Sequence, residues 1–201
     1  MERKYAWHNY DDATMEKVYA LSDTYRQFLD NGKTERECVV QAVEFAEAKG
    51  YVNLNDIIKS NTSIKAGDKI YYTHMDKSIA LFNIGTDDIE LGMNILGAHI
   101  DSPRIDVKQN PQYEDSNLVF WDTHYYGGIK KYHWVAMPLA IHGVVVKTDG
   151  TRININIGDK ESDPVFCITD LLPHLGQEQM QKNAAKVIEG EALDLLIGSR
   201  P

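Results

Sequence analysis

The first third of the chain has the hydrophobic spacing of helices. Between residues 13 and 29 the apolar side chains recur three or four positions apart, which places them along one side of a helix, and the Asn-Gly pair at 31–32 predicts where that helix ends. The Thr-Glu-Arg-Glu sequence at 34–37 has the form of a capping box, and apolar residues follow it as far as Ala46. The pattern predicts two helices, the second ending before Gly50.

The middle of the chain has the composition of strands. Residues 69–74 and 78–84 are rich in β-branched and aromatic side chains, and the Met-Asp-Lys loop between them predicts a hairpin. Residues 93–98 form a short, almost unbroken apolar run, which is typical of a strand buried on both faces of an α/β sheet. We expect this strand to bring the residues that follow it to the carboxyl edge of the sheet.

Beyond Pro103 the pattern is that of short antiparallel strands. Runs with strand character occur at 104–108, 117–123, 135–147 and 151–158, and the Asp-Gly pair at 149–150 predicts a tight turn between the last two. Helical character returns at 170–175 and 178–188, and an apolar segment at 192–197 precedes the final Gly-Ser-Arg-Pro. The sequence therefore predicts an α/β fold, with a helix-and-sheet unit up to about Lys108 and an antiparallel β unit after it.

Composition and charge exclude several classes of protein. Hydrophobic residues make up 43% of the chain and charged residues 25%, as in ordinary soluble proteins, and no apolar run approaches the roughly 18 residues of a membrane span. The initial Met-Glu-Arg-Lys lacks the apolar run of a signal peptide, so we expect a cytoplasmic protein that contacts no membrane. A net charge of -9 argues against binding to nucleic acid. The two distant cysteines favour free buried thiols.

His99 and Asp101 are the best candidates for chemistry. Two positions apart in an extended segment, their side chains point to the same side, and they follow the predicted buried strand, where open α/β sheets bind ligands. A neutral imidazole is a good zinc ligand, and a nearby carboxylate can orient it. The alternative is a buried, hydrogen-bonded structural histidine, which is the commoner outcome for an isolated His-x-Asp pair. A catalytic zinc needs about three protein ligands, so the pair alone does not distinguish a zinc ligand from a structural histidine.

Other candidates have simpler explanations. The acidic pairs at 11–12 and 87–88 are expected to be solvated caps, because carboxylates suit helix amino termini. Ser102 lacks the Gly-x-Ser-x-Gly sequence of a nucleophile elbow and has good turn chemistry instead. His174 follows a proline that fixes the backbone, but its local sequence favours a structural role.

Five short sequences, taken in order, change this interpretation. They are Gly-Ala-His-x-Asp-Ser-Pro at 97–103, Val-Lys at 107–108, Tyr-Gly-Gly at 126–128, Gly-Val-Val-Val-Lys at 143–147 and Pro-His-Leu at 173–175, and together they resemble the aspartyl aminopeptidase family of cocatalytic zinc exopeptidases. The resemblance implies a zinc-dependent aminopeptidase that releases amino-terminal residues from peptides and holds two zinc ions when complete. His99 matches a zinc ligand and Asp101 the catalytic acidic residue that steadies it. His174 matches a substrate-binding histidine that reaches a neighbouring subunit's active site.

The resemblance also implies how the chain is divided. Residues 1–108 match the first part of a zinc-exopeptidase α/β sandwich, 109–190 an inserted antiparallel β dimerisation domain, and 191–201 the return to the catalytic domain. We expect a homodimer, and a higher homo-oligomer in the complete enzyme. Ile100 stands where the family more often has threonine, and residues 133–139 lack the charged Asp-Arg-Asp often found there, so a preference for acidic amino-terminal residues is left open.

The family's remaining metal ligands have no counterpart in this sequence. They are a bridging Asp, an adjacent Glu-Glu pair, a further acidic ligand and a late His. We therefore expect the 201-residue chain by itself to be inactive. The alternative is a catalytically inactive dimerisation or assembly module.

Overall fold

The computed structural model describes residues 4–199 and contains both helices and sheets, as expected. Residues 1–3, which belong to the charged start, and 200–201, which belong to the final Gly-Ser-Arg-Pro, lie outside the described residues. The chain divides into two compact units, Met1–Asp101 (unit 1) and Ser102–Pro201 (unit 2).

The first α-helix of unit 1 buries none of its residues. After a short 3-10 turn at Ala6–Asn9, α1 extends over Asp12–Asn31. The Asp11 carboxylate caps it by accepting a hydrogen bond from the Thr14 backbone N–H at 2.8 Å. This bond supplies a partner for one of the N–H groups that the first helical turn leaves free. The helix predicted for 13–29 is confirmed.

The second helix, α2, extends over Glu35–Ala48 and begins with the predicted capping box. The Thr34 hydroxyl accepts a hydrogen bond from the Glu37 backbone N–H (3.3 Å), and the Glu37 carboxylate accepts one from the Thr34 backbone N–H (2.9 Å). The reciprocal bonds fix the start of the helix. α2 supplies three of the buried residues of unit 1: Cys38, Val39 and Ala46.

A three-stranded sheet packs against α2. Its strands are β1 (Val52–Asn53), β2 (Lys69–His74) and β3 (Ser78–Asn83), in the order β1-β2-β3, with α3 (Leu54–Lys59) after β1. β1 is parallel to β2, and β2 is antiparallel to β3. The predicted hairpin is confirmed, and its turn places Met75 and Asp76 at φ values of 52° and 56°, the left-handed conformation that tight hairpin turns require.

Two residues of β2 complete the core of unit 1. Ile70 and Tyr71 are buried, and the Tyr71 hydroxyl donates a hydrogen bond to the Glu47 carboxylate of α2 at 2.7 Å. This hydrogen bond, together with burial, raises the pKa of Tyr71. The hairpin is therefore held to α2 by both apolar contact and a polar bond.

The buried strand predicted for residues 93–98 is wrong. The segment from Gly92 to Pro103 contains no helix or strand, and Met93, Ile95 and Leu96 are 60%, 80% and 102% exposed. A strand is stabilised by hydrogen bonds to neighbouring strands and by cover on its faces. No strand among residues 4–199 pairs with this segment. Its apolar composition shows that it suits burial, but composition alone does not supply a neighbour.

Unit 2 is built from antiparallel strands. β4 (Arg104–Asp115), β5 (Leu118–Tyr126), β8 (Cys167–Ile168) and β9 (Leu195–Gly198) form a sheet in the order β4-β5-β9-β8, and β6 (Ile141–Val146) and β7 (Arg152–Ile157) form a separate hairpin. β4 and β5 extend beyond the predicted runs because a tight turn at Ser116 and Asn117, with φ of 51° and 63°, joins them.

The helices predicted for 170–175 and 178–188 are wrong except for one turn. Only α4, Gln177–Met180, is helical there, and it has four residues. Pro173 interrupts the first segment and Gly176 follows it, and helices this short gain little stability of their own. In the second segment Ile188 is buried in the core of unit 2, so tertiary packing overrides the local preference for helix.

The core of unit 2 gathers residues from distant parts of the chain. Phe166, Ile168, Ile188, Leu193 and Leu195 are buried together. The buried Thr123 hydroxyl of β5 donates a hydrogen bond to the Leu193 carbonyl. The unit therefore has an apolar centre of its own.

The two cysteines are free, as expected. Cys38 is buried, which raises the pKa of its thiol, whereas Cys167 is half-buried. Within residues 4–199 no helix is long and apolar enough to cross a membrane.

Candidate metal centre

His99 and Asp101 lie together at the end of unit 1, in the irregular segment that precedes β4. The His99 Nδ1 is 3.1 Å from the Asp101 Oδ1 and 3.1 Å from the Asp101 carbonyl oxygen. The side chain of His99 is 83% exposed and that of Asp101 is 39% exposed. The alternative of a buried structural histidine therefore does not describe this residue.

The contact with Asp101 orients the imidazole. Both oxygens near Nδ1 are acceptors, so they favour the tautomer that carries its proton on Nδ1. In that tautomer the Nε2 atom keeps its lone pair and can bind a metal. A carboxylate that holds the other ring nitrogen of a ligand histidine is a common arrangement around zinc. The pair has the geometry of one oriented ligand.

The chain that leaves this pair is anchored to the first strands of unit 2. The Arg104 guanidinium lies 4.2 Å from the centre of the Tyr126 ring, and its Nε donates to the Asp106 carboxylate at 2.7 Å. Gly127 has a φ of 77°, and a side chain there would meet Pro103 at 3.6 Å. The Tyr-Gly-Gly sequence at 126–128 thus packs beside the end of the 97–103 motif because its glycine adopts a left-handed backbone conformation.

The metal-binding side chains of the described residues do not complete a zinc site. Among residues 4–199 no group of three or more His, Cys, Asp and Glu side chains could hold a metal ion. A catalytic zinc is bound by about three protein ligands and keeps one open position. The residues present therefore fit a single ligand with its orienting carboxylate, and they do not hold the metal alone.

One residue of each acidic pair, at 11–12 and at 87–88, caps a helical turn. Asp11 caps α1, and the Asp88 carboxylate accepts a hydrogen bond from the Glu90 backbone N–H (3.0 Å) at the start of the Ile89–Leu91 turn. The hydrogen bond to Thr14 holds the pKa of Asp11 below its ordinary value, as expected for a carboxylate stabilised in its charged form. The prediction of solvated caps is confirmed for these two residues.

His174 lies in unit 2, in an exposed turn before α4. The backbone N–H groups of Leu175 and Gly176 both donate to the Leu172 carbonyl at 2.9 Å, which closes the turn. Leu172 and Leu175, on either side of His174, are exposed. Beside the turn is an open groove of about 240 Å³ lined by Tyr132, Val135, Leu171, Pro173, Met180 and Ile188. Exposed leucines on both sides of the histidine make this turn suited to contact with another surface.

The sequence gives no sign of a polar network that ties β4 to the end of unit 2. The Lys108 ammonium is 2.8 Å from the Asp122 carboxylate and 2.9 Å from that of Glu191, and these contacts raise the pKa of Lys108. The Tyr113 hydroxyl donates to the Asp194 carboxylate at 2.6 Å. Burial, followed by this hydrogen bond, raises the pKa of Tyr113 to about 12.

Lys108 and Glu191 are 83 residues apart in the chain, and Tyr113 and Asp194 are 81 apart, so no local sequence pattern predicts these contacts. The irregular pairing between Val107 and Gln112 in β4 lies next to Lys108. The network holds the Gly190–Ala192 turn and the start of β9 beside the β4–β5 hairpin.

Comparison with known proteins agrees with the motifs. The model of the aminopeptidase I zinc metalloprotease family (M18) matches residues 28–199. A probable M18 family aminopeptidase 1 from Clostridium acetobutylicum is 53% identical over 200 residues, a match that covers 100% of this chain and 43% of the relative. The chain spans less than half the length of that relative.

Solved structures give the same result. The crystal structure of an M18 family aminopeptidase from Thermotoga maritima matches with a TM-score of 0.89 and 44% identity, over 100% of this chain and 42% of that one. Aminopeptidase I from Clostridium acetobutylicum matches with a TM-score of 0.85 and 52% identity, over 100% of this chain and 43% of that one. The chain belongs to the M18 family of aminopeptidase I zinc metalloproteases.

Proposed function

We propose that the protein is a zinc-dependent aminopeptidase that releases amino-terminal residues from peptides, and that this chain supplies one of its metal ligands. The contact between His99 Nδ1 and the Asp101 carboxylate at 3.1 Å carries the proposal, because it leaves Nε2 oriented as a ligand. The family match over 28–199 supports it. This chain spans 43% of the Clostridium acetobutylicum relative. The remaining ligands would come from a part of the protein that corresponds to roughly the other 57% of that relative.

In this proposal His99 binds one of two zinc ions, and Asp101 is the acidic residue of the catalytic site that fixes the ring. Zinc, when bound, polarises a peptide carbonyl and lowers the pKa of a bound water. Asp101 would accept a hydrogen bond from Nδ1–H, which would keep the imidazole from turning away from the metal and raise its basicity as a ligand.

We further propose that residues 109–190 form an inserted dimerisation domain and that His174 binds substrate in a neighbouring subunit. The exposed leucines beside His174 support this, because they suit burial against another surface. Yeast mApe1, solved as a dodecamer, shares the fold with a TM-score of 0.59 and 17% identity. A homodimer, a higher homo-oligomer and a cytoplasmic location stay predictions.

The test is substitution of His99 in the natural full-length protein. We expect His99→Ala to lose one of two zinc ions and nearly all turnover of peptide substrates. His74→Ala is the matched control, since His74 is an exposed histidine of β2 in the same unit, and it should keep both. Unchanged zinc content and turnover in the His99 variant would contradict the proposal.

A catalytically inactive assembly module is the second candidate for the chain by itself. Two observations favour it: unit 2 has its own apolar core, and residues 4–199 hold no complete metal site. Peptide turnover by the purified 201-residue chain with added zinc separates the two functions. We expect no turnover above that of zinc alone, and robust turnover would exclude the module.

A further inference from the structure

The open groove beside the His174 turn has the size of a site for one side chain. Its volume is about 240 Å³, below the roughly 300–1,000 Å³ of sites that enclose a whole drug-sized ligand. Leu171 and Pro173, which precede His174 in the chain, line the groove, and so does Gly176, which follows it. A peptide that contacts His174 would therefore have the groove next to it.

The buried part of the groove lining belongs to the core of unit 2. Ile188 is one of the buried core residues, and Val135 and Val187 pack against that core. Because a close-packed core holds its side chains in place, this part of the groove is formed before any ligand binds. Leu171 and Met180 are 54% and 62% exposed, so a ligand that covers them would remove apolar surface from water.

The charged residues beside the groove do not suit an acidic ligand. Asp170 lines the groove, and its carboxylate accepts hydrogen bonds from the Leu171 backbone N–H (2.8 Å) and from the Gln179 Nε2 (3.0 Å). Lys182 lines an adjoining groove of about 250 Å³, and its ammonium is 3.3 Å from the Glu189 carboxylate. Among the described residues that line the two grooves, Lys182 is the only cation. A substrate carboxylate would therefore meet the charge of Asp170 and a lysine that already has a partner.

We propose that this groove receives an apolar side chain from one of the first two residues of the peptide substrate. Peptides with an apolar residue at that position are then cleaved faster than peptides with an acidic one. An apolar side chain leaves water together with the exposed surfaces of Leu171 and Met180, whereas a carboxylate loses its hydration and gains no partner. The inference rests on the proposed function, in which His174 binds substrate, and it names the substrate class.

Steady-state kinetics of the natural full-length protein on four tripeptides tests the preference. Leu-Ala-Ala and Asp-Ala-Ala differ at the first residue, and Ala-Leu-Ala and Ala-Asp-Ala differ at the second. We expect kcat/KM to be at least about tenfold higher for the Leu peptide at one of the two positions, because even one methylene in an apolar pocket changes it by about tenfold or more. Equal values at both positions, or higher values for the Asp peptides, would overturn the inference.

Charge variants at Met180 assign the preference to the groove. Met180 is the last residue of α4 and is exposed, so its substitution leaves the core intact. M180K brings a cation to the groove and should lower the ratio of the Leu to the Asp value by about two- to fivefold, the strength of an exposed ion pair, whereas M180E should raise it. Each ratio compares two peptides with the same enzyme, so a partial loss of folded protein cancels.

M137K is the matched control for these variants. Met137 is an exposed methionine of the same unit, and it does not line either groove. The ratio in M137K should equal that of the wild-type protein. A ratio that is the same in M180K, M180E and M137K would overturn the inference, because the groove would then have no part in the preference.

Peptide binding to the 201-residue chain is a second measurement, and it needs no activity. At about 10 mM, a concentration that suits weak binding, the Leu peptides should shift the methyl resonances of Met180 and Ile188, and the Asp peptides should not. Equal shifts with both kinds of peptide, or none with either, would overturn the inference. Shifts with the Leu peptides alone, but no turnover by the full-length protein, would support the groove and contradict only the proposed enzyme.

Discussion

Two segments of unit 1 have the composition of strands but different structures. β2 (Lys69–His74) pairs on both sides and buries Ile70, which is 2% exposed, whereas residues 93–98 pair with no strand among the described residues and leave Leu96 fully exposed. Both contain alternating or continuous apolar residues. The difference is that β2 has β1, β3 and α2 as neighbours. Residue type decides whether a segment suits a sheet, and a neighbour decides whether it forms one.

Removing the buried side chains should show this difference most strongly. We expect Ile70→Ala to lower the free energy of unfolding by about 2–5 kcal/mol, because it deletes buried methyl groups and leaves a cavity. Leu96→Ala should change it by less than about 0.5 kcal/mol, because that side chain is fully exposed. Urea unfolding followed by circular dichroism measures both. Equal losses would show that the 93–98 segment is packed in solution.

Weakening α2 should loosen β2 without changing the 93–98 segment. Thr34→Ala removes the capping hydroxyl and should lower the stability of unit 1 by about 1 kcal/mol. Amide hydrogen exchange should then speed up in α2 and β2 and stay as fast as before at residues 93–98. Protection at 93–98 that fell together with protection in β2 would contradict the difference between the two segments.

A smaller effect is expected at alkaline pH. The neutral Tyr71 hydroxyl donates a hydrogen bond to the Glu47 carboxylate, and the pKa of Tyr71 in the folded protein is raised above the value of about 10 in the unfolded chain. The stabilisation is therefore complete below about pH 10 and is lost as pH rises through the folded-state pKa. Tyr71→Phe should flatten this part of the stability curve.

Tyr113→Phe is the control for the alkaline experiment, because Tyr113 lies in unit 2, where burial and the hydrogen bond to Asp194 of the same unit raise its pKa to about 12. For unit 2, this variant should make the free energy of unfolding less dependent on pH between about pH 10 and 12. The unfolding of α2 and β2 in unit 1 should be unchanged. A wild-type curve that stays flat above pH 10 would show that neither hydrogen bond stabilises the fold.

Local chemistry was predictable from the sequence, and distant pairing was not. The capping box at Thr34 and Glu37 and the turn at Met75 depend on residues next to one another, so spacing alone predicts them. The bond between Tyr113 and Asp194 joins residues 81 positions apart, and no periodicity marks it. The false helix at 178–188 has the same cause, since burial of Ile188 depends on the rest of unit 2.

The candidate site follows the same division. That His99 and Asp101 share a side was predictable from a two-residue separation, and the 3.1 Å contact is local. The expectation of a buried strand beneath them was wrong, because apolar residues do not specify which strand will pair with them. The role of His174 depends on another subunit and stays a prediction.

Zinc titration of the purified 201-residue chain tests most directly the claim that it carries one oriented metal ligand and not a whole metal centre. We predict binding weaker than about 1 µM by calorimetry, with no zinc retained after dialysis, since one imidazole does not hold a catalytic ion. One zinc retained per chain, and lost in the His99→Ala variant, would contradict the claim.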